Sequence, residues 1–317
     1  MSEMGLLVGM DEAGYGPNLG PLVIAATAWN TPGLPSDFDA WMMFADVLGR
    51  PPVDRDRLPV GDSKAIYTAG GSLERLETAV LAFLRLCGLN PRSFEELCNT
   101  LSPTTSVSLG PAPWFCGTAA SIPVAAEASR INRFANRWSE LCDEHGLGRP
   151  LVAARVLTAA TYNAALEVTQ NKALLLSRHS LGLLAELVDP DGDHPTLVLS
   201  DKHGGRNRYD GLLSEAFGDR LVMRREEGAD SSSYRLGSMD VRFQPKGERH
   251  FPVALASMVA KYTREIAMAA FNAYWNTTCP EVRSTRGYPV DAKRFRNDIG
   301  DRLEELGIDE SVFWRQK

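Results

Sequence analysis

One stretch, residues 6–21 (LLVGMDEAGYGPNLGP), constrains this chain more than any other. Its first five residues are a continuous apolar run, the pattern of a strand buried on both faces. The run delivers two adjacent carboxylates, Asp11 and Glu12, into a loop holding Gly14, Gly16 and Gly20 with Pro17 and Pro21. Carboxylates at the end of a buried strand lose hydration and need a positive partner. A hard divalent cation, Mg2+ or Mn2+, suits oxygen ligands of this kind. Turn chemistry alone, with Asp11 capping backbone groups, is the simpler alternative. A dinucleotide-binding loop is excluded. That motif needs a helix to open at the glycines, and residues 23–29 (VIAATAW) instead read as a second strand.

The rest of the chain limits the classes open to it. At 317 residues it can bury a full core, and 44% hydrophobic with 23% charged residues is ordinary for a globular protein. No apolar run reaches membrane-spanning length, and residues 1–4 lack the basic start of a secretory signal. Five widely spaced cysteines, with no Cys-x-x-Cys pair, argue against a disulfide framework or a zinc site and for a reducing cytoplasm. The net charge of −6 is not that of a protein gripping nucleic acid by bulk charge. Residues 202–208, 220–225 and 283–296 are nonetheless locally basic.

Spacing of apolar residues predicts helices over 72–84, 124–144, 158–188 and 251–275, and strands over 151–157, 196–200, 220–225 and 234–244. Residues 98–121 and 226–233 read as insertions or long loops. Residues 197–201 (LVLSD) repeat the opening pattern, a buried strand ending in an acid. On the last long helix Lys261 and Glu265 stand four apart, the spacing of an ordinary surface ion pair. Asp11, Glu12, Asp201 and Glu265 together make four carboxylates that repel one another unless metal neutralises them, the donor set of a two-metal site.

Several segments, in order, resemble the type 2 ribonucleases H (ribonuclease HII, HIII and the eukaryotic catalytic subunit). They are GMDEAGYGP at 9–17 with Gly20-Pro21, DSK at 62–64, LVLSD at 197–201, KGE at 246–248 followed by ASMVAKYTRE at 256–265, and GYPVDAK at 287–293. The resemblance implies an α/β ribonuclease-H-like fold: a central mixed sheet flanked by helices over residues 1–277, then a helical substrate-binding extension over 278–317. It implies a monomeric endonuclease cutting the RNA strand of RNA/DNA hybrids, or DNA with embedded ribonucleotides, to 5′-phosphate and 3′-hydroxyl ends. A two-metal Mg2+ or Mn2+ site would be held by Asp11, Glu12, Asp201 and Glu265. Gly14, Tyr15 and Gly16 would approach the ribose 2′-hydroxyl, Tyr288 would stack on a deoxyribose, and Ser63, Lys64, Asn163, Asn171 and Lys172 would hold the backbone. Two positions depart from ribonuclease HII: Tyr15 stands where it usually has Arg, and Glu265 where it has Asp. A hybrid-binding protein without catalysis, on the same fold, is the alternative.

Overall fold

The computed structural model describes residues 4–68, 71–102, 109–116, 121–218 and 220–316. Seven strands form one mixed sheet: β1 (Met4–Ala13), β2 (Leu22–Pro32), β3 (Leu151–Leu157), β4 (Thr196–Ser200), β5 (Met223–Glu227), β6 (Ser232–Leu236) and β7 (Met239–Phe243). Their spatial order is β3-β2-β1-β4-β7-β6-β5. β2 runs antiparallel to both β1 and β3, β4 lies parallel to β1, and β7 lies parallel to β4. β5, β6 and β7 form an antiparallel meander at the far edge. The main helices are α1 (Glu74–Leu86), α2 (Phe94–Leu101), α3 (Ala128–Glu144), α4 (Ala159–Thr169), α5 (Lys172–Leu187), α6 (Phe251–Thr278) and α7 (Pro289–Ile299). A mixed sheet with helices on both faces is the expected architecture. Among the described residues no helix is long and apolar enough to cross a membrane.

Alternation along the strands builds two cores. Leu7, Val23, Ala25 and Trp29 point to one face, under α1, α3 and α6. Val8, Met10, Leu22, Ile24 and Ala26 point to the other, under α4 and α5. On the first face the indole of Trp29 lies 5.3–5.9 Å from the rings of Phe44, Phe83, Trp138 and Phe251. The start of α6 sits directly on β1 because Gly9 has no side chain. A Cβ there would stand 2.2 Å from the Pro252 carbonyl carbon and 2.3 Å from the Val253 nitrogen. Thr27 fixes the approach by donating to the Pro252 carbonyl at 2.9 Å.

A buried carboxylate ties the helical layer together. Glu77 of α1 is fully buried. It accepts from the backbone N–H groups of Val124, Ala125 and Ala126 at 2.6–2.7 Å and from the Tyr262 hydroxyl at 2.8 Å.

Several boundaries differ from those read in the sequence. Residues 158–188 form two helices, because Gln170 takes a left-handed conformation (φ 49°) and Asn171 caps the second. Residues 234–244 hold the end of β6, a turn at Gly237 (φ 51°) and β7, so the pattern of alternation spans a hairpin. The segment read as a loop over 98–121 contains the end of α2 and the buried Trp114 and Phe115, and residues 103–108 and 117–120 lie outside those described. Residues 226–233 are not a long loop: they hold the end of β5, a short turn over 228–231 and the start of β6, with Glu226 opposite Ser233. Beyond residue 278, Phe295 and Phe313 pack on Phe271 and Trp275 of α6, within the same core.

Candidate active site

The three parallel strands β1, β4 and β7 finish at one edge of the sheet, where open α/β sheets place their ligand sites. Asp11 and Glu12 occupy the end of β1. Met10 is level with Ser200 in the parallel register, so Asp201 leaves β4 beside Asp11. β7 leads to the fourth acid: five residues past its end, Glu248 lies in a turn of 3-10 helix at residues Gly247–Arg249. Gly247 brings that turn against β4. A Cβ there would meet the backbone nitrogen of Asp201 at 3.0 Å. All four carboxylates line one cavity of about 320 Å3, together with Asp62, Ser63, Lys64, Ser257, Lys261 and Tyr288.

Two of the four acids, Asp11 and Glu12, have too little compensation. Burial and then the neighbouring Glu12 push the Asp11 carboxyl well above its ordinary range, opposed by a hydrogen bond from Ser257. Burial, Asp201 and Glu248 raise Glu12 to about 7, and Lys64 is the cation that pulls it back. Ser63 accompanies Ser257, their hydroxyl oxygens 3.3 Å apart. The donor set is all hard oxygen, and its mutual repulsion is what a divalent cation relieves, so these residues fit Mg2+ or Mn2+. Among the described residues no three acids, histidines or cysteines already stand in the close array of a formed metal site.

Glu265 is not one of the four. It lines the neighbouring, larger depression, of about 810 Å3, and accepts a 2.5 Å bond from Lys261. The i,i+4 pair read from the sequence is therefore what forms, and Glu248 takes the place given to Glu265. The signal for Glu248 was available: a strand ending in Phe243, then Lys246-Gly247-Glu248, repeats the strand-then-acid order of β1 and β4.

The glycine-rich loop is held from beneath. Arg264 of α6 donates to the Pro21 carbonyl at 2.6 Å and to that of Leu19 at 3.0 Å. Arg315 donates to the carbonyls of Gly14, at 2.5 Å, and of Pro17. Both guanidiniums are buried, which lowers Arg264 to about 10 and Arg315 to about 9. Gly14 (φ 92°) could carry no side chain, since a Cβ would stand 2.5 Å from the Pro21 carbonyl oxygen. Gly16, by contrast, is exposed and faces open space.

The remaining candidate residues divide. Tyr15 packs beside the cavity with the Lys172 ammonium 4.5 Å from its ring centre. Lys64 and Tyr288 are exposed, and Tyr288 stands between the cavity and the larger depression. Asn163 is no backbone holder for a ligand. It is buried, donates to the carbonyls of Ser311 and Trp314 at 2.9 and 2.8 Å, and accepts from the Gln316 N–H at 2.9 Å. Asn171 accepts from the Leu174 N–H at 2.9 Å as the cap of α5. Sequence reasoning passed over Ser257, Arg264 and Arg315, which lie in otherwise apolar or terminal segments.

Three solved structures are similar to this chain. The ribonuclease HII of Archaeoglobus fulgidus, solved in complex with PCNA, is 14% identical with a TM-score of 0.42, covering 98% of this chain and 94% of that one. Ribonuclease H2 from Pyrococcus horikoshii is 14% identical with a TM-score of 0.41, over 97% and 92%. Bst-RNase HIII in complex with Mn2+ is 15% identical with a TM-score of 0.40, over 98% and 66%. All three are ribonucleases H. No family model and no curated protein matches the chain. Identities and scores this low leave the functional reading to the chain's own motifs and acidic cavity.

Proposed function

We propose that this chain is a divalent-metal-dependent endonuclease that hydrolyses the RNA strand of RNA/DNA hybrids. The observation that carries the reading is the convergence of Asp11, Glu12, Asp201 and Glu248 at the ends of three parallel strands, beside the glycine-rich loop. The motif resemblance gives it the substrate. Those four carboxylates would hold Mg2+ or Mn2+. When bound, such ions supply a more acidic water and stabilise charge on phosphoryl oxygens.

The chain's own groups supply position and discrimination. Ser257 holds Asp11 by a hydrogen bond, and Lys64 offsets the charge of Glu12. The open backbone at Gly16, on a loop stiffened by Arg264 and Arg315, presents a rigid edge to a ribose 2′-hydroxyl. Tyr288, half exposed at the rim, offers a face on which the next sugar can stack. Products would carry 5′-phosphate and 3′-hydroxyl ends.

The test is cleavage of two labelled duplexes, one a full RNA/DNA hybrid and one with a single ribonucleotide, in Mg2+ and in Mn2+. Wild type is expected to cut the RNA-containing strand. Asp11→Asn and Glu248→Gln should abolish cleavage, while Glu265→Gln retains most of it. Binding of either duplex without metal-dependent cleavage would replace the proposal with the non-catalytic hybrid-binding reading.

A further inference from the structure

On the opposite side of the turn that carries Glu248 lies a second cavity, of about 360 Å3, lined by Arg50, Arg242, Arg249, His250 and Trp41. Arg249 follows Glu248 directly, so one short turn aims an acid into the first cavity and a guanidinium into the second. Arg242 lies on β7 level with Leu199, on the same side of the sheet as the start of α6.

The three guanidiniums are positioned but not neutralised. Arg50 stacks 4.7 Å from the Trp41 ring centre and donates to the Arg249 carbonyl at 3.4 Å. Arg249 donates to the Gln244 side-chain oxygen at 2.8 Å and approaches the His250 imidazole at 3.2 Å. All three guanidiniums line one cavity with His250, and burial, then Arg249, Arg242 and Arg50 in that order, hold that imidazole below its ordinary range. None of the three forms an ion pair among the described residues. Two acids also line the cavity but pair with none of the three: Asp39 accepts from the Trp41 and Met42 N–H groups, and Asp37 from the Ser36 hydroxyl. Next door the balance is different, because Arg225 and Arg235 both pair with Asp240 at 3.6 and 2.9 Å. Guanidiniums that share a cavity and pair with no carboxylate suit a multiply charged oxyanion, whose geometry they match in bidentate fashion.

We infer that Arg50, Arg242 and Arg249 form a phosphate-binding site, separate from the acidic cavity. Trp41 is already covered by Arg50 and by Phe251, at 5.2 Å, so the site reads a phosphate group and not a base. The inference does not depend on the acidic cavity being a nuclease.

Two measurements in EDTA test it. The first is titration of the full chain with inorganic phosphate, followed calorimetrically and by Trp fluorescence. Arg242→Ala/Arg249→Ala is expected to weaken binding about tenfold or more, and Arg225→Ala/Arg235→Ala to leave it unchanged. The second is binding of an uncut RNA/DNA duplex over a salt series. Loss of two phosphate contacts lowers the log–log slope by about 2. Weaker phosphate binding with a lower slope identifies a nucleic-acid backbone as the ligand, and weaker phosphate binding with an unchanged slope identifies a free phosphorylated molecule. Phosphate affinity unaltered in the folded double variant, or no phosphate binding by wild type, would overturn the site.

Discussion

Glu12 gives the sharpest test of the acidic cavity. Its carboxyl is raised from 4.5 to about 7 by burial, Asp201 and Glu248. A carboxyl that binds its proton more tightly folded than unfolded makes stability fall as pH rises from about 4.5 to about 7, with the full cost present above that window. A displacement of about 2.5 units corresponds to about 3 kcal/mol, and solvent at the cavity rim reduces this to about 1–2 kcal/mol. Glu12→Gln removes the charge. In EDTA near pH 8.5 the variant should therefore be more stable than wild type by about 1–2 kcal/mol, and the difference should vanish near pH 4.5. Excess Mn2+ should reverse the order, since a ligand at about 100 times its Kd stabilises wild type by about 2.7 kcal/mol and the variant less. Urea denaturation under these three conditions measures all of it. Wild type as stable as Glu12→Gln at alkaline pH without metal would refute the reasoning, because the Glu12 carboxylate would then not be short of compensation.

Other perturbations probe the scaffold and the loop. Glu77→Gln leaves two backbone N–H donors facing an amide; thermal denaturation should show a loss of about 3 kcal/mol or more, from two charge-assisted bonds at about 1.5–3 each. Gly9→Ala puts a methyl into the backbone of Pro252 and Val253 and should displace α6, with loss of soluble protein, whereas Gly16→Ala meets open space and should leave the melting temperature unchanged while raising KM for ribonucleotide-containing duplexes. Asn163→Ala removes three bonds and should cost about 2–4 kcal/mol, against about 1 kcal/mol for the helix cap lost in Asn171→Ala. Equal losses would contradict the separate positions assigned to the two asparagines.

How much was legible in the sequence followed from where the information lay. β1, β2 and β4 were readable because burial on both faces leaves a continuous apolar run, and the acids that end β1 and β4 came with them. The break after Thr169 was not, because it depends on one left-handed residue, Gln170, inside a segment whose apolar spacing continues. Glu265 was chosen over Glu248 because helical context made it conspicuous. A helix residue points where its rotation about the axis sends it, and at that position the Lys261 ammonium is one turn away. Asn163 shows the same limit differently: an asparagine that could meet a ligand is used to hold Ser311, Trp314 and Gln316, a relation between residues about 150 apart that no local pattern encodes.

That last relation bears on how the protein is made. The loop after β1 is synthesised about 300 residues before Arg315, which fastens the carbonyls of Gly14 and Pro17. Asn18 and Arg315 also exchange bonds between Asn18 Nδ2 and the Arg315 carbonyl, and between the Arg315 N–H and the Asn18 carbonyl. Contacts so distant in sequence form late, after shorter loops have closed. A growing chain can therefore assemble its sheet while the glycine-rich loop is still unfastened. The loop beside the acidic cavity is then set only once Arg315 has been made and docked, and chains lacking it would carry the four carboxylates without that clamp.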